Sequence, residues 1–278
     1  MLRGPGDPTM RLSPRSAVRA TRTPSGPATL SLRLDGTVLT AEAWGPGAPH
    51  ALDSVPALVG LDDTPSAFAP AHPLIRELAR RRQGLRLGRS GAVLEALVPA
   101  ILEQKVTGLE AFRSFRALVL VHGEPAPGPF GLRIQPTAAR LAALPYHAYH
   151  PLGVERRRAD TIRYAASRAA RLEELVALPG EEARGRLESL PGVGPWTAAE
   201  VTARALGDPD AVSVGDFHLP NIVAWALAGE PRADDARMLE LLEPFRGQRA
   251  RVIRLLESSG IGAPRYGPRM APRSIANI

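Results

Sequence analysis

The sequence predicts a mainly α-helical protein with a short antiparallel β unit in front of it, and three observations carry that prediction. Residues 29–44, TLSLRLDGTVLTAEAW, alternate apolar and polar side chains around Asp35-Gly36, a two-residue hairpin signal. From about Pro65 onward the apolar spacing changes to that of helices. The 278 residues include no cysteine, which excludes disulfides, thiolate zinc sites and cysteine-held iron–sulfur clusters; a chain of this length can bury its core without them.

In chain order, the first stretch, MLRGPGDPTMRLSPRSAVRATRTPSGPA, is rich in Arg, Ser and Pro and has no apolar run. That excludes an ordinary secretory signal and reads as a loose lead-in. The hairpin follows, and because one isolated hairpin is marginal, it either docks on the rest or is what remains of a larger β unit. The expected division is a partial β region over residues 1–50 and a helical domain over residues 51–278. HPLIRELARRR, SGAVLEALVPAILEQKVTG, ERRRADTIRYAASRAARLEELVAL, DDARMLELLEPF and QRARVIRLLESS all carry helical spacing, with Ile162, Ala165, Ala166 and Ala169 on one face. AWGPGAPHALDSVP (43–56) and HGEPAPGPFGL (122–132) read as Pro/Gly-rich breaks. The tail, APRYGPRMAPRSIANI, lacks periodicity and reads as an irregular basic surface strand.

The formal charge of +7 and pI near 10.7 favour a polyanionic partner. Of the 35 basic residues only Lys105 is a lysine, so part of that signal is a composition bias toward Arg, Ala, Pro and Gly. No run of about 18 apolar residues exists to span a membrane. A reducing, cytoplasmic setting is the expectation.

The most informative stretch is LPGVGPWTAAEV, Leu190 to Val201. A short helix should end near Ser189-Leu190. Gly192 and Gly194 permit a tight turn, and Pro195 suits the first position of a new helix with Ala198, Val201, Thr202 and Ala205 on its buried face. Backbone N–H groups at such a helix start are free to meet a phosphate oxygen, although a plain αα-hairpin has the same pattern. Downstream, GDPDAVSVGDFHLPNIVAWAL turns at Asp208-Pro209 and places Asp216 at the start of the next helix. Asp216 suits an N-cap, and a capping carboxylate is rigidly held where the helix end favours its charged form. Asp208 and Asp210 read as turn residues.

The string LPGVGPWTA followed by the spaced Asp216 resembles the helix–hairpin–helix (HhH-GPD) superfamily of DNA glycosylases. Members that also cut the strand have a lysine two residues after the second hairpin glycine; Trp196 stands there instead. With cysteine absent, the resemblance narrows to the AlkA-type, 3-methyladenine DNA glycosylase II branch. VPALVGLDDTPSAF (55–68), LRLGRSGAVLEALVPAILEQKVTG (85–108) and ERRRADTIRYAASRAARL (155–172) fall in that family's order, and the resemblance spans roughly residues 50–260. Family members begin with an antiparallel β domain, of which residues 10–45 look like the end.

The resemblance implies a monofunctional, monomeric enzyme acting on double-stranded DNA that contains damaged bases, on the chromosome of a bacterial cytoplasm, with no catalytic metal or organic cofactor. The nucleotide is flipped out of the stack, and a fixed carboxylate stabilises positive charge on the sugar as the glycosidic bond breaks. Asp216 is the implied catalytic residue and orients the attacking water. Trp196 supplies a π face for a cationic alkylated base, or packs between helices. Glu200 falls where family members place an aromatic pocket residue; it either alters substrate choice or Asp216's protonation, or faces water. Gly192, Val193, Gly194 and Thr197 form the DNA-gripping hairpin. The duplex-filling wedge lies around Gln104-Lys105, with Lys105 in place of the expected apolar residue. Backbone carbonyls of Glu188, Leu190 and Val193 are implied ligands of a structural Na+ or K+.

His147 and His150 have ligand-like spacing but no further ligands beside them. His218 steadies local structure rather than acting as a base. The runs 79–83 and 155–160 are solvated helix faces or DNA-facing ones. Two other readings stay open: a non-catalytic DNA-binding module that keeps the hairpin, and a glycosylase for deaminated or oxidised purines.

Overall fold

The alternation seen around Asp35-Gly36 extends further toward the N-terminus than the sequence suggested. The computed structural model, described for residues 2–65 and 68–264, has a four-stranded antiparallel meander. Its strands are β1 (Met10–Ser13), β2 (Ser16–Thr23), β3 (Gly26–Asp35) and β4 (Val38–Trp44). Asp35 pairs with Val38, so the predicted turn falls on Gly36-Thr37, one residue later than expected. Strands β1 and β2 were expected only from the family resemblance, because Pro14, Pro24 and four arginines between residues 11 and 22 interrupt the alternation. In the sheet those prolines lie in turns, while Arg19 and Arg22 reach acidic partners on other elements.

Nor is the lead-in loose. The backbone N–H of Arg3 donates to the Asp7 carboxylate, and the Arg3 guanidinium pairs with Glu103 in the helical part. The stretch 43–56, read as a break, instead ends β4 and forms α1 (Ala48–Asp53), then begins α2 (Val55–Leu58). Ala51 packs on Ala28, Leu30 and Leu32 of β3, so α1 crosses the expected division at residue 50 and belongs with the sheet. The second expected break carries a small hairpin: β5 (Glu124–Pro125) pairs with β6 (Arg133–Ile134). Leu132 and Ile134 cover Ala20 of β2, so the break seals the other face of the sheet.

The helical part has α3 (Pro73–Arg81), α4 (Val93–Leu102), α5 (Gly108–His122), α6 (Ala138–Ala143), α7 (Tyr146–Tyr149) and α8 (Arg156–Ala166). It continues with α9 (Ala169–Glu173), α10 (Gly180–Glu188), α11 (Pro195–Ala205), α12 (Leu219–Ala228), α13 (Asp235–Leu242) and α14 (Arg249–Ser259). The single helix expected over residues 155–178 is divided at Ser167-Arg168. Ser167 Oγ bonds back to the Tyr164 carbonyl and Arg168 stacks over the Tyr164 ring, and together they close the helix without glycine or proline. The tail beyond residue 264 lies outside the described residues.

Two apolar clusters organise the helices. One joins α4, α5, α8, α10 and α11; the other joins α3, α12, α13 and α14. Helix α4 is central, and all its residues but Glu95 are buried, although it contains Pro99. A proline there cannot donate to the carbonyl four residues back. The Gln135 side-chain amide takes that role, donating to the Glu95 carbonyl at 3.0 Å. No described helix is long and apolar enough to cross a membrane.

Candidate active site

Helix α10 stops at Glu188, and the chain turns through residues 189–194, with Val193 N–H donating to the Leu190 carbonyl at 3.0 Å. The two hairpin glycines serve different ends. Gly192 has φ +84°, and a Cβ there would sit 2.2 Å from Thr161 Oγ1. Gly194 has extended backbone (φ −109°, ψ −178°), and a Cβ would meet nothing within 4 Å. Only Gly192 is required by the fold. Pro195 is the first residue of α11 as expected, and the predicted face of Ala198, Val201, Thr202 and Ala205 is buried.

Gln104, at the end of α4, donates its side-chain N–H groups to the Gly192 carbonyl at 2.9 Å and to Thr197 Oγ1 at 2.8 Å. Two expectations change in consequence. Thr197 is 2% exposed and its hydroxyl is engaged internally, so its side chain is not on offer to DNA. Gln104's amide braces the hairpin instead of reaching outward. Val193 is also buried, leaving only its backbone for recognition. Beside this brace Lys105 is exposed and has φ +54°, and it is the only non-glycine with positive φ among the described residues. A bulky residue in the left-handed region costs about 1–2 kcal/mol.

Asp216 is held on both oxygens. Its Oδ1 accepts the backbone N–H groups of His218 and Leu219, each at 2.8 Å, and its Oδ2 accepts the indole N–H of Trp196 at 3.1 Å. Asp216 is not the N-cap residue of α12 as predicted: the helix begins at Leu219 with His218 at the cap position, and the Asp216 carboxylate folds residues 216–218 into an Asx-type turn ahead of it. Trp196 lies in the first turn of α11, which packs in the first apolar cluster, and Asp216 precedes α12, which packs in the second. The Trp196–Asp216 hydrogen bond thus spans the seam between them. The Asp216 turn has further ties: Asp216 N–H to the Ser213 carbonyl (3.2 Å) and Gly215 N–H to Asp235 Oδ1 (3.1 Å).

Glu200 does not face water. One carboxylate oxygen pairs with Arg204, one turn further along α11, and the other accepts from Ser213 Oγ at 2.6 Å. Burial pushes its carboxyl up, but the Arg204 guanidinium and the Ser213 hydroxyl outweigh this and hold it below the usual carboxylate range. It is thus a neutralised anchor for the loop before Asp216. Asp208 and Asp210, read as turn residues, are also anchors: buried Asp208 pairs with Arg184, and Asp210 accepts the N–H of Arg249 at the start of α14.

Phe217, directly after Asp216, is 85% exposed and edge-on to the His218 ring. An aromatic side chain so open beside a fixed carboxylate is a stacking surface the sequence reading passed over, although Phe217 stood in the quoted stretch. Ser213 and Asp235 gave no signal, whereas Arg204 could have been found as an i,i+4 partner of Glu200. Among the described residues no group of three or more His, Asp or Glu converges on a metal, and the His150 ring packs edge-on to Tyr146.

No family model matches the chain. A probable bifunctional transcriptional activator/DNA repair enzyme AlkA of Mycobacterium tuberculosis is 34% identical over 171 residues, covering 58% of this chain and 34% of that protein. DNA-3-methyladenine glycosylase 2 of Escherichia coli is 29% identical over 171 residues, covering 61% of this chain and 59% of that protein. The chain therefore matches less than two thirds of the length of either relative. A 3-methyladenine DNA glycosylase from Archaeoglobus fulgidus superposes with a TM-score of 0.74 at 21% identity, over 90% of this chain and 88% of that one. In sequence the chain is thus similar to AlkA proteins over somewhat more than half of its length, and its fold is similar to that of a 3-methyladenine DNA glycosylase.

Proposed function

We propose that the chain is a monofunctional DNA glycosylase that releases alkylated, 3-methyladenine-type bases from duplex DNA. The observation that carries this is the Asp216 carboxylate, pinned by Trp196 and two backbone N–H groups beside a hairpin with an open helix N-terminus. A pure DNA binder has no use for an ordered carboxylate there, since it repels phosphate. A base-releasing enzyme has, because positive charge develops on the sugar as the C1′–N bond breaks and the base leaves with the electron pair. Water then adds at C1′, and Asp216 is placed to orient it and take its proton. An alkylated purine is already cationic and leaves readily, so the exposed Phe217 ring and the half-buried Trp196 ring suffice to receive it.

The names of the relatives support the alkylated-base reading. For strand cleavage the chain has one lysine to offer, and Trp196 holds the position where a lyase has its nucleophile. Lys105, exposed and in a strained conformation beside the brace, fits the wedge that fills the duplex when the nucleotide leaves. The backbone carbonyls of Glu188, at the end of α10, and of Leu190 and Val193, in the turn that follows, are the ligands a structural Na+ or K+ would take in this reading. The protein acts as a monomer in this reading.

The test is single-turnover release of free base from a duplex with one methylated purine, at low salt. The wild type should release it, and Asp216→Asn should lose release while keeping duplex affinity. Borohydride should trap no covalent adduct with the wild type. Release of an oxidised or deaminated base alone would move the substrate assignment, and tight binding with no release would leave a binding module.

A further inference from the structure

The partly buried pair Glu200–Arg204 lies on α11, one turn from Trp196, yet touches neither oxygen of Asp216. What it touches is the loop that carries Asp216. Glu200 Oε1 accepts from Ser213 Oγ, and the Ser213 carbonyl accepts the Asp216 backbone N–H. Arg204 keeps Glu200 in place through its carboxylate and its backbone carbonyl, the latter at 2.9 Å. Both side chains are only 19% exposed. An ion pair this deep is costly to desolvate, and its net effect on stability is small unless it fixes something else. Asp235, on the opposite side of the turn, holds Gly215 N–H but is bonded from the exposed surface, where water competes.

Resting on the glycosylase reading, we propose that Glu200 is a positioning residue. Through Ser213 it fixes the turn of residues 213–216, so that the Asp216 carboxylate stays in register with the Trp196 indole. Arg204 is its counter-ion, and Glu200 takes no part in contacting the base. The role follows from the chain Arg204, Glu200, Ser213, Asp216, Trp196, which begins and ends on α11 and closes a loop across the seam between the two helical clusters. Cutting it at Ser213 frees the turn without leaving Arg204 unpaired.

Ser213→Ala, Ser213→Thr, Glu200→Gln and the double variant Glu200→Gln/Ser213→Ala test this. Two signals are read: single-turnover base release, and the 15N–1H resonance of the Trp196 indole, assigned by its loss in Trp196→Phe. Ser213→Ala should slow release by about tenfold or more, since small displacements of a reacting group carry such factors. Duplex affinity and melting temperature should stay near those of the wild type, the Trp196 resonance should shift, and Ser213→Thr should restore both signals. The double variant should be no slower than its slower parent, because the two side chains act on one path. An unchanged rate and resonance in Ser213→Ala overturns the proposal, as does a loss that tracks melting temperature and is not rescued by Thr. Additive losses in the double variant overturn it too. If the wild type releases no base, the glycosylase reading fails by itself, and the Trp196 resonance alone decides whether Ser213 and Glu200 hold Asp216.

Discussion

Replacing each hairpin glycine with alanine separates what the fold needs from what a phosphate needs. At Gly194 the backbone is extended and a Cβ has nothing within 4 Å, so Gly194→Ala should not destabilise the free protein. By reducing the freedom of the unfolded chain it should even gain about 0.4–1 kcal/mol. The space the methyl would occupy is where a phosphate oxygen must come to reach the first N–H groups of α11. Losing one charge-assisted hydrogen bond costs about 1.5–3 kcal/mol, or roughly a 10- to 100-fold loss of affinity. Gly192→Ala should do the reverse. Its φ of +84° costs an alanine about 1–2 kcal/mol. The Cβ also displaces Thr161 Oγ1 from its 2.9 Å bond to the Arg157 carbonyl, for about 1 kcal/mol more. The sum of about 2–3 kcal/mol lowers the melting temperature by roughly 5–10 °C for a protein of this size. Thermal melts and fluorescence anisotropy with a duplex carrying an abasic analogue, at one fixed salt concentration, measure both effects. Undiminished duplex binding by Gly194→Ala would refute the hairpin as the phosphate grip. A Gly192→Ala protein as stable as the wild type would refute the geometry.

Three further outcomes are expected. Trp196→Phe keeps the apolar ring but removes the indole N–H from Asp216 Oδ2, and single-turnover release should slow by roughly 10- to 100-fold with the Asp216 turn still folded. Lys105→Gly relieves the left-handed strain at an exposed site, so the melting temperature should hold or rise, while base release should fall if Lys105 fills the duplex. Burial pushes the carboxyls of Asp63, Asp210 and Glu200 up, but hydrogen bonds and arginines outweigh it and hold all three below their ordinary values. The unfolded chain therefore binds protons first as pH falls. Burial also holds the His122 imidazole below its ordinary value, so denaturant melts should show a shallow decline from about pH 6.5 and a steeper one below about pH 4, partly offset by Glu173, whose carboxyl burial pushes up. A flat profile down to about pH 3 would refute the reasoning.

The helical body was legible because it relies on periodicity: α3, α13 and α14 lie where their apolar spacing puts them, and Pro195 opens α11. Asp216 and Trp196 were legible because a local motif fixes their residue types. What stayed hidden is work done across the chain. Nothing in Gln135 announces that it replaces a hydrogen bond lost to Pro99, 36 residues earlier, and nothing in Gln104 announces a brace on Gly192. The partners of Glu200 were hidden for the same reason. A glutamate on a helix tells nothing of Ser213, 13 residues on, and it is this hydroxyl that ties it to the loop before Asp216. Strands β1 and β2 were legible only through the family resemblance, because their arginines, polar in sequence, are paired when folded.

Those pairings explain why a small sheet matters to a site on the helices. Glu95, in the first turn of α4, accepts from Arg19 and Thr21 of β2, each at 2.6 Å, and Glu103, just past the end of α4, pairs with Arg3 ahead of β1. Arg3 and Glu103 are 7% and 16% exposed. Exposed ion pairs contribute about 0–1 kcal/mol, but removing one partner of a buried pair costs roughly 3–5 kcal/mol, because the other is left uncompensated. The β unit is therefore keyed to both ends of α4 by contacts that are expensive to break singly. Helix α4 runs directly into Gln104 and Lys105, and Gln104 sets the hairpin through Gly192 and Thr197. The register between Lys105, the hairpin and Asp216 is thus fixed from the sheet side as well as from the helical cores.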